Sequence, residues 1–162
     1  MKVLLDTSFL LPVFGVDVDV PGFKEQLLHL SKEAELLVNS LSILEAKWII
    51  LRISKKRQDV LEEFKKGLNL VTRGETLRIV PFYSPEIDTV ATFVYRHHRD
   101  YIDCSILASA YVEADIFVTM EKKKMKELAE LIYPELSAYR QASSKLIVAT
   151  LSEAVRRGGK SQ

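Results

Sequence analysis

Four carboxylates stand where apolar stretches of this chain break off. In KVLLDTSFLLP (residues 2–12), Asp6 stops the run Val3, Leu4 and Leu5. In LSILEAKWII, Glu45 has Leu41, Trp48 and Ile49 at i−4, i+3 and i+4, the spacing of one helical face. Asp103 precedes Ile106, Leu107 and Ala110 in IDCSILASA, again along one face, and Glu121 follows DIFVTM as Asp6 follows KVLL. Two carboxylates ~4 Å apart repel by about 4 kcal/mol at an effective dielectric of 20. Four acids in one crevice therefore need a cation to stay ionised. Oxygen donors without His or Cys suit Mg²⁺ or Mn²⁺, which activate water and neutralise the charge that builds up in phosphodiester cleavage.

Each acid also has an ordinary structural role open to it. Asp6 can cap a turn with Thr7 and Ser8. Glu45 can snorkel or pair with Lys47 or Arg52. Asp103 can serve the positive end of a helix, and Glu121 can open the helix of Lys122 to Lys124. Only their joint placement separates chemistry from capping, so the elements that carry them decide.

Apolar periodicity predicts strands at 3–5, 36–38, 77–82 and 115–120, and helices at 21–35, 40–54, 58–72, 85–98, 99–114 and 122–132. The tail KLIVATLSEAVRR fits one helix or a strand at 145–149 before a helix capped by Ser152. Ile147 and Val148 are β-branched and favour the strand. Strands alternating with helices imply an α/β fold, a three-layer α/β/α sandwich with a mainly parallel sheet, whose crevice lies at the strand carboxyl ends. One domain over 1–157 and a flexible tail at 158–162 are expected.

The 162 residues, 48% hydrophobic, are enough for a sizeable core. With 23 Lys and Arg against 22 Asp and Glu, a net charge of +1 provides no global basic field for nucleic acid. Local patches would have to do that work: Arg52, Lys55, Lys56 and Arg57; Lys122, Lys123, Lys124 and Lys126; or Arg96, His97, His98 and Arg99. A lone Cys104, no secretory pattern and no apolar run of the ~18 residues that span a bilayer point to a cytoplasmic protein without a membrane segment. Cys104 is expected to pack rather than react. Trp48 and Tyr111 are expected to fill core, and His97–His98, adjacent on a helix, to point apart.

LLDTSFLL resembles the opening of a PIN domain, VNSLSILEA is similar to that family's second element, and DCSILASAYVEADIFVTME to its third, with sixteen residues from Asp103 to Thr119. The resemblance covers roughly residues 1 to 130. It implies a Mg²⁺- or Mn²⁺-dependent ribonuclease with one or two ions, many small members being VapC-type toxins held by an antitoxin, and a homodimer. By position, Asp6 and Asp103 would be the principal metal ligands, Glu45 a further carboxylate and Glu121 the fourth acid, with Thr119 and Ser8 in support. Arg52, Lys55, Lys122 and Lys123 would hold the RNA. Glu121 departs from the family's usual Asp, and Asp100 is a possible substitute. Residues 133–144 exceed what the shortest members need. Two rivals remain: a catalytically weak PIN-like RNA-binding or scaffold module, and a receiver-type phosphoacceptor domain. The latter lacks its acid pair after KVLL and an Asp closing a middle strand.

Overall fold

The computed structural model describes residues 1–74, 76–141 and 144–159. Five strands, β1 (Lys2–Leu5), β2 (Glu35–Asn39), β3 (Leu77–Val80), β4 (Ile116–Val118) and β5 (Ile147–Ala149), form one sheet in the order β3-β2-β1-β4-β5. All four pairings are parallel. Seven helices flank it: α1 (Phe23–Glu33), α2 (Ser40–Ser54), α3 (Val60–Arg73), α4 (Pro85–Tyr95), α5 (Tyr101–Glu113), α6 (Lys122–Leu136) and α7 (Leu151–Gly158).

Strand side chains alternate between the two faces. Leu4, Leu37, Phe117 and Val148 pack with α4, α5 and α6. Val3, Leu5, Leu36, Val38, Ile116 and Val118 pack with α1, α2, α3 and α7. Burial on both faces explains why β1 and β4 read as unbroken apolar runs, and it makes the expected three-layer sandwich.

The chain moves outward from β1 through β2 to β3, then returns to the other side of β1 as β4. This reversal makes β1 and β4 neighbours that run outward to opposite sides, the switch point at which parallel sheets open a crevice. Asp6 leaves β1 there, and its N–H donates to the Val118 carbonyl at the end of β4 (3.0 Å).

Several boundaries differ from expectation. The third strand ends at Val80, before Pro81, which has no N–H to give the ladder. The helix expected over 85–98 ends at Tyr95, and α5 begins at Tyr101 behind its cap Asp100, whose carboxylate accepts from the N–H groups of Ile102 and Asp103. Helix α6 passes Pro134 to Leu136: the proline forgoes the N–H bond to the carbonyl four residues back, while Tyr133 and Leu136 pack against the core. The tail is strand plus helix, but Thr150 caps α7 through a reciprocal bond with Glu153, not Ser152. That helix continues through the buried Gly158, inside the span expected to be a free tail; residues 160–162 lie outside the described residues.

The segment after α6 acquires a role. Arg140 is buried and donates to the carbonyls of Tyr111 (2.6 Å) and Ala114 (2.8 Å) at the end of α5, and to that of Ser144. Its guanidinium thus satisfies helix-end acceptors that would otherwise be orphaned. Tyr111, above which it stacks, is fully buried as expected, whereas Trp48 is 48% exposed.

Gly67 of α3 faces the turn Leu11–Phe14 that follows Asp6. A Cβ there would run into the Val13 carbonyl oxygen and reach 2.7 Å from Phe14 Cδ1. Gly→Ala at an exposed helical site gains about 1 kcal/mol. Gly67→Ala is expected to lose about 1–3 kcal/mol instead, through overpacking against backbone. A lowered urea midpoint with unchanged slope in equilibrium unfolding checks this.

Candidate active site

The site begins with Asp6 at the end of β1. Its carboxylate is held by two neutral donors: the Thr7 N–H to Oδ1 (2.7 Å) and the Thr119 hydroxyl, just past β4, to Oδ2 (2.8 Å). Thr7 also donates its own hydroxyl to Glu45 Oε2 at 2.5 Å. One threonine therefore links the first acid to the second.

Glu45 reaches this point from α2, but not for the reason its sequence context indicated. The buried line of that helix is Ser42, Ala46 and Ile50; Leu41 and Ile49 are only half-buried and Trp48 is exposed. Glu45 lies on the flank between the core and open faces. Helix α2 is fixed at its start by Asn39, fully buried at the end of β2, whose Oδ1 accepts from the Leu41 N–H (2.7 Å). The Asn39 amide donates to Ser109 Oγ on α5 (2.6 Å), tying the helix of Glu45 to that of Asp103.

Asp103 stands in the first turn of α5, above the buried Ile106, Leu107 and Ala110 as expected. Its Oδ2 lies 2.9 Å from His98 Nε2 and 3.2 Å from Lys124 Nζ. Because α4 stops at Tyr95, His98 sits in the connection to α5, where its carbonyl accepts from the Cys104 thiol (3.2 Å). Lys124 Nζ also contacts Glu121 Oε2 at 2.9 Å. Glu121 itself is mostly exposed; it is joined to the other acids by this bridge and by its N–H, which donates to Thr119 Oγ1 (3.1 Å).

Electrostatics confirm the crowding. Burial pushes the Asp6 carboxyl up to about 6; the Thr119 and Thr7 bonds oppose this, and the charges of Asp103 and Glu45 add to it. Burial likewise raises Glu45 against its bond from Thr7, with Asp103 and Asp100 adding repulsion and Arg52 relieving some of it. Burial pushes the Cys104 thiol up to about 11, so it is a packing group and not a nucleophile. For Lys124, desolvation is outweighed by Glu121 and Asp103, and its pKa rises.

Asp6, Glu45, Asp103 and Thr119 are thus brought together, with Glu121 at the margin. Asp100 is spent on capping α5, although its charge still reaches Glu45. Ser8 keeps a buried hydroxyl with no partner. Among the basic candidates, Arg52, Lys55 and Lys123 are exposed, while Lys122 is taken up by Glu153 (2.6 Å). Asn39 emerges only in three dimensions, as do the contacts of Thr7 with Glu45 and of His98 and Lys124 with Asp103.

The PIN domain family model matches residues 3–131, across every element that carries these acids. The chain belongs to the PIN domain family. PIN domains are generally nucleases that use divalent metal ions. No curated protein matched. Among solved structures, VapBC2 from Rickettsia felis bound to a DNA fragment from their promoter is similar in fold, with a TM-score of 0.59 and 15% identity over 93% of this chain and 98% of that one.

The donors of this PIN domain fit a hard divalent cation in kind: all are oxygens, and the half-buried Asp6 carboxylate takes its hydrogen bonds, among the described residues, from neutral groups. Among the described residues, no three His, Cys, Asp or Glu side chains form a ready cage. Mg²⁺ does not require one, since it commonly takes one or two carboxylates and completes its shell with water or substrate phosphate.

The raised Asp6 makes a stability prediction for metal-free protein. The unfolded carboxyl ionises near its ordinary 3.8, the folded one near 6. The folded state binds the extra proton between those values, so stability falls as pH rises through that window. Asp6→Asn is expected to be more stable by about 2 kcal/mol at pH 7, an advantage that shrinks below pH 6 and vanishes near pH 4. Chemical denaturation in chelator at several pH values checks this.

Proposed function

We infer that this PIN domain is a metal-dependent endoribonuclease of the VapC toxin type, cutting RNA phosphodiester bonds at the crevice between β1 and β4. The observation that carries this reading is the half-buried Asp6, repelled by Asp103 and Glu45 and, among the described residues, hydrogen-bonded to neutral donors. A Mg²⁺ or Mn²⁺ ion bound there would lower the pKa of water and neutralise charge on the phosphate.

Asp6 and Asp103 are the residues that would hold the ion, with Thr119 fixing the Asp6 carboxylate. Glu45, oriented by Thr7 and with its carboxyl pKa raised by burial, is suited to take the proton of the attacking water. That water's oxygen bonds to phosphorus as the P–O bond to the leaving nucleotide breaks. Arg52, Lys55 and Lys123 are exposed and free to meet the RNA backbone, and phosphate contacts of this kind set affinity and not sequence choice. Glu121 is a secondary ligand at most. A proteinaceous antitoxin that covers the crevice, a homodimer and a cytoplasmic setting complete the proposal; among the described residues no helix is long and apolar enough to cross a membrane.

A second reading, a PIN-like RNA-binding module with weak catalysis, is favoured by one observation: Glu121, at the position where the family resemblance implies an Asp, is engaged by Lys124.

Cleavage of a mixed structured RNA with Mn²⁺, Mg²⁺ or chelator separates the two. Metal-dependent cutting is expected, with Asp6→Asn and Asp103→Asn each losing at least about 100-fold, the upper range for disturbing even the support of a metal ligand. Glu121→Gln is expected to stay within about tenfold of the unaltered protein, as fits a marginal group. Absence of cutting by protein that binds RNA would leave the second reading standing.

A further inference from the structure

Lys124 belongs to a basic run that looks like a solvated face or an RNA-binding patch. Its neighbours on α6 behave differently from it. Lys123 is exposed, Lys122 pairs with Glu153, and Lys126 lies 3.8 Å from Glu130 along the helix. Lys124 alone turns towards the acids, 3.2 Å from Asp103 Oδ2 and 2.9 Å from Glu121 Oε2. These two carboxylates come from different elements, α5 and the β4–α6 connection, so the ammonium spans the crevice edge and does not merely decorate one helix.

We propose that Lys124 is a built-in counter-ion of the acidic centre, an ammonium that neutralises Asp103 and Glu121 in the resting protein and must be displaced from Asp103 when a divalent cation binds. The inference rests on the metal-centre reading given above and adds its regulation. Asp103 Oδ2 already receives Lys124 and faces His98. Any further cation on that oxygen has to compete with the ammonium, both for a lone pair and by charge repulsion. Helix α6 holds Lys124 from below through the buried Met125, Leu128 and Ala129, so the side chain can swing while its backbone stays in place. Once released, the four-carbon stem carries its charge to the rim of the crevice, where a backbone phosphate would arrive.

The test is calorimetric titration of Mn²⁺ into chelator-stripped full-length protein and three variants, with circular dichroism to confirm the fold. Lys124→Gln removes the competing ammonium, Lys124→Arg retains a charge there, and Lys126→Gln removes one charge from the same helix away from the acids. Lys124→Gln is expected to bind Mn²⁺ about fivefold more tightly than the unaltered protein, the scale of a partly exposed ion pair. Lys124→Arg and Lys126→Gln are expected to stay near the unaltered affinity. Binding by Lys124→Gln alone would support the proposal in its strongest form. Equal affinity in the unaltered protein and Lys124→Gln would overturn it while leaving the metal centre intact, as would an equal gain from Lys126→Gln. Folded proteins that all fail to bind Mn²⁺ would overturn the metal-centre reading and this proposal with it.

Discussion

The constraint on which the site depends is a carboxylate held half-buried at the end of the central strand, next to other carboxylates. Asp6 cannot retreat into solvent, because its backbone N–H is committed to β4 and its two oxygens to Thr7 and Thr119. Its neighbours Asp103 and Glu45 raise it further. A fold that only needed a turn at this point could use Asp6 without setting two more acids against it. The apolar sheet supplies the stability that tolerates this repulsion, and the repulsion supplies the affinity for positive charge.

The sheet order explains how acids so distant in sequence meet. Reversal of direction after β3 sets β4 against β1, so the residues leaving both strands emerge side by side. The helices are then tied across the crevice by polar side chains buried in the core, Asn39 to Ser109 above all. That contact fixes α2 relative to α5, and hence Glu45 relative to Asp103. Nitrogen groups gather in response: the Lys124 ammonium and a His98 ring nitrogen both sit on one oxygen of Asp103.

The sheet and the acids were legible in the sequence because each breaks a simple pattern. β1 and β4 are unbroken apolar runs; Asp6 directly ends the first, and Glu121 stands three residues past Val118, where β4 stops short of the expected 120. Asp103 interrupts the apolar face of α5 as its spacing indicated. Glu45 was found through a stripe that is not the buried one, since α2 is apolar on more than one side and periodicity could not say which side the core would take. Trp48 was misplaced for the same reason. Lys124 was hidden in a run of like charges, where only the phase of α6 distinguishes it from Lys122 and Lys123. His98 was assigned to a helix that ends at Tyr95, and Arg140 acts through carbonyls of a helix some thirty residues away, a contact that leaves no local trace.

In the proposed function, Asp6 and Asp103 together hold a divalent cation in the crevice between β1 and β4. Anomalous diffraction from crystals grown with Mn²⁺ tests it most directly. The expected result is an anomalous peak between the Asp6 and Asp103 carboxylates, with Lys124 moved off Asp103. A peak elsewhere, or none there with the Lys124–Asp103 pair unchanged at saturating Mn²⁺, would contradict it.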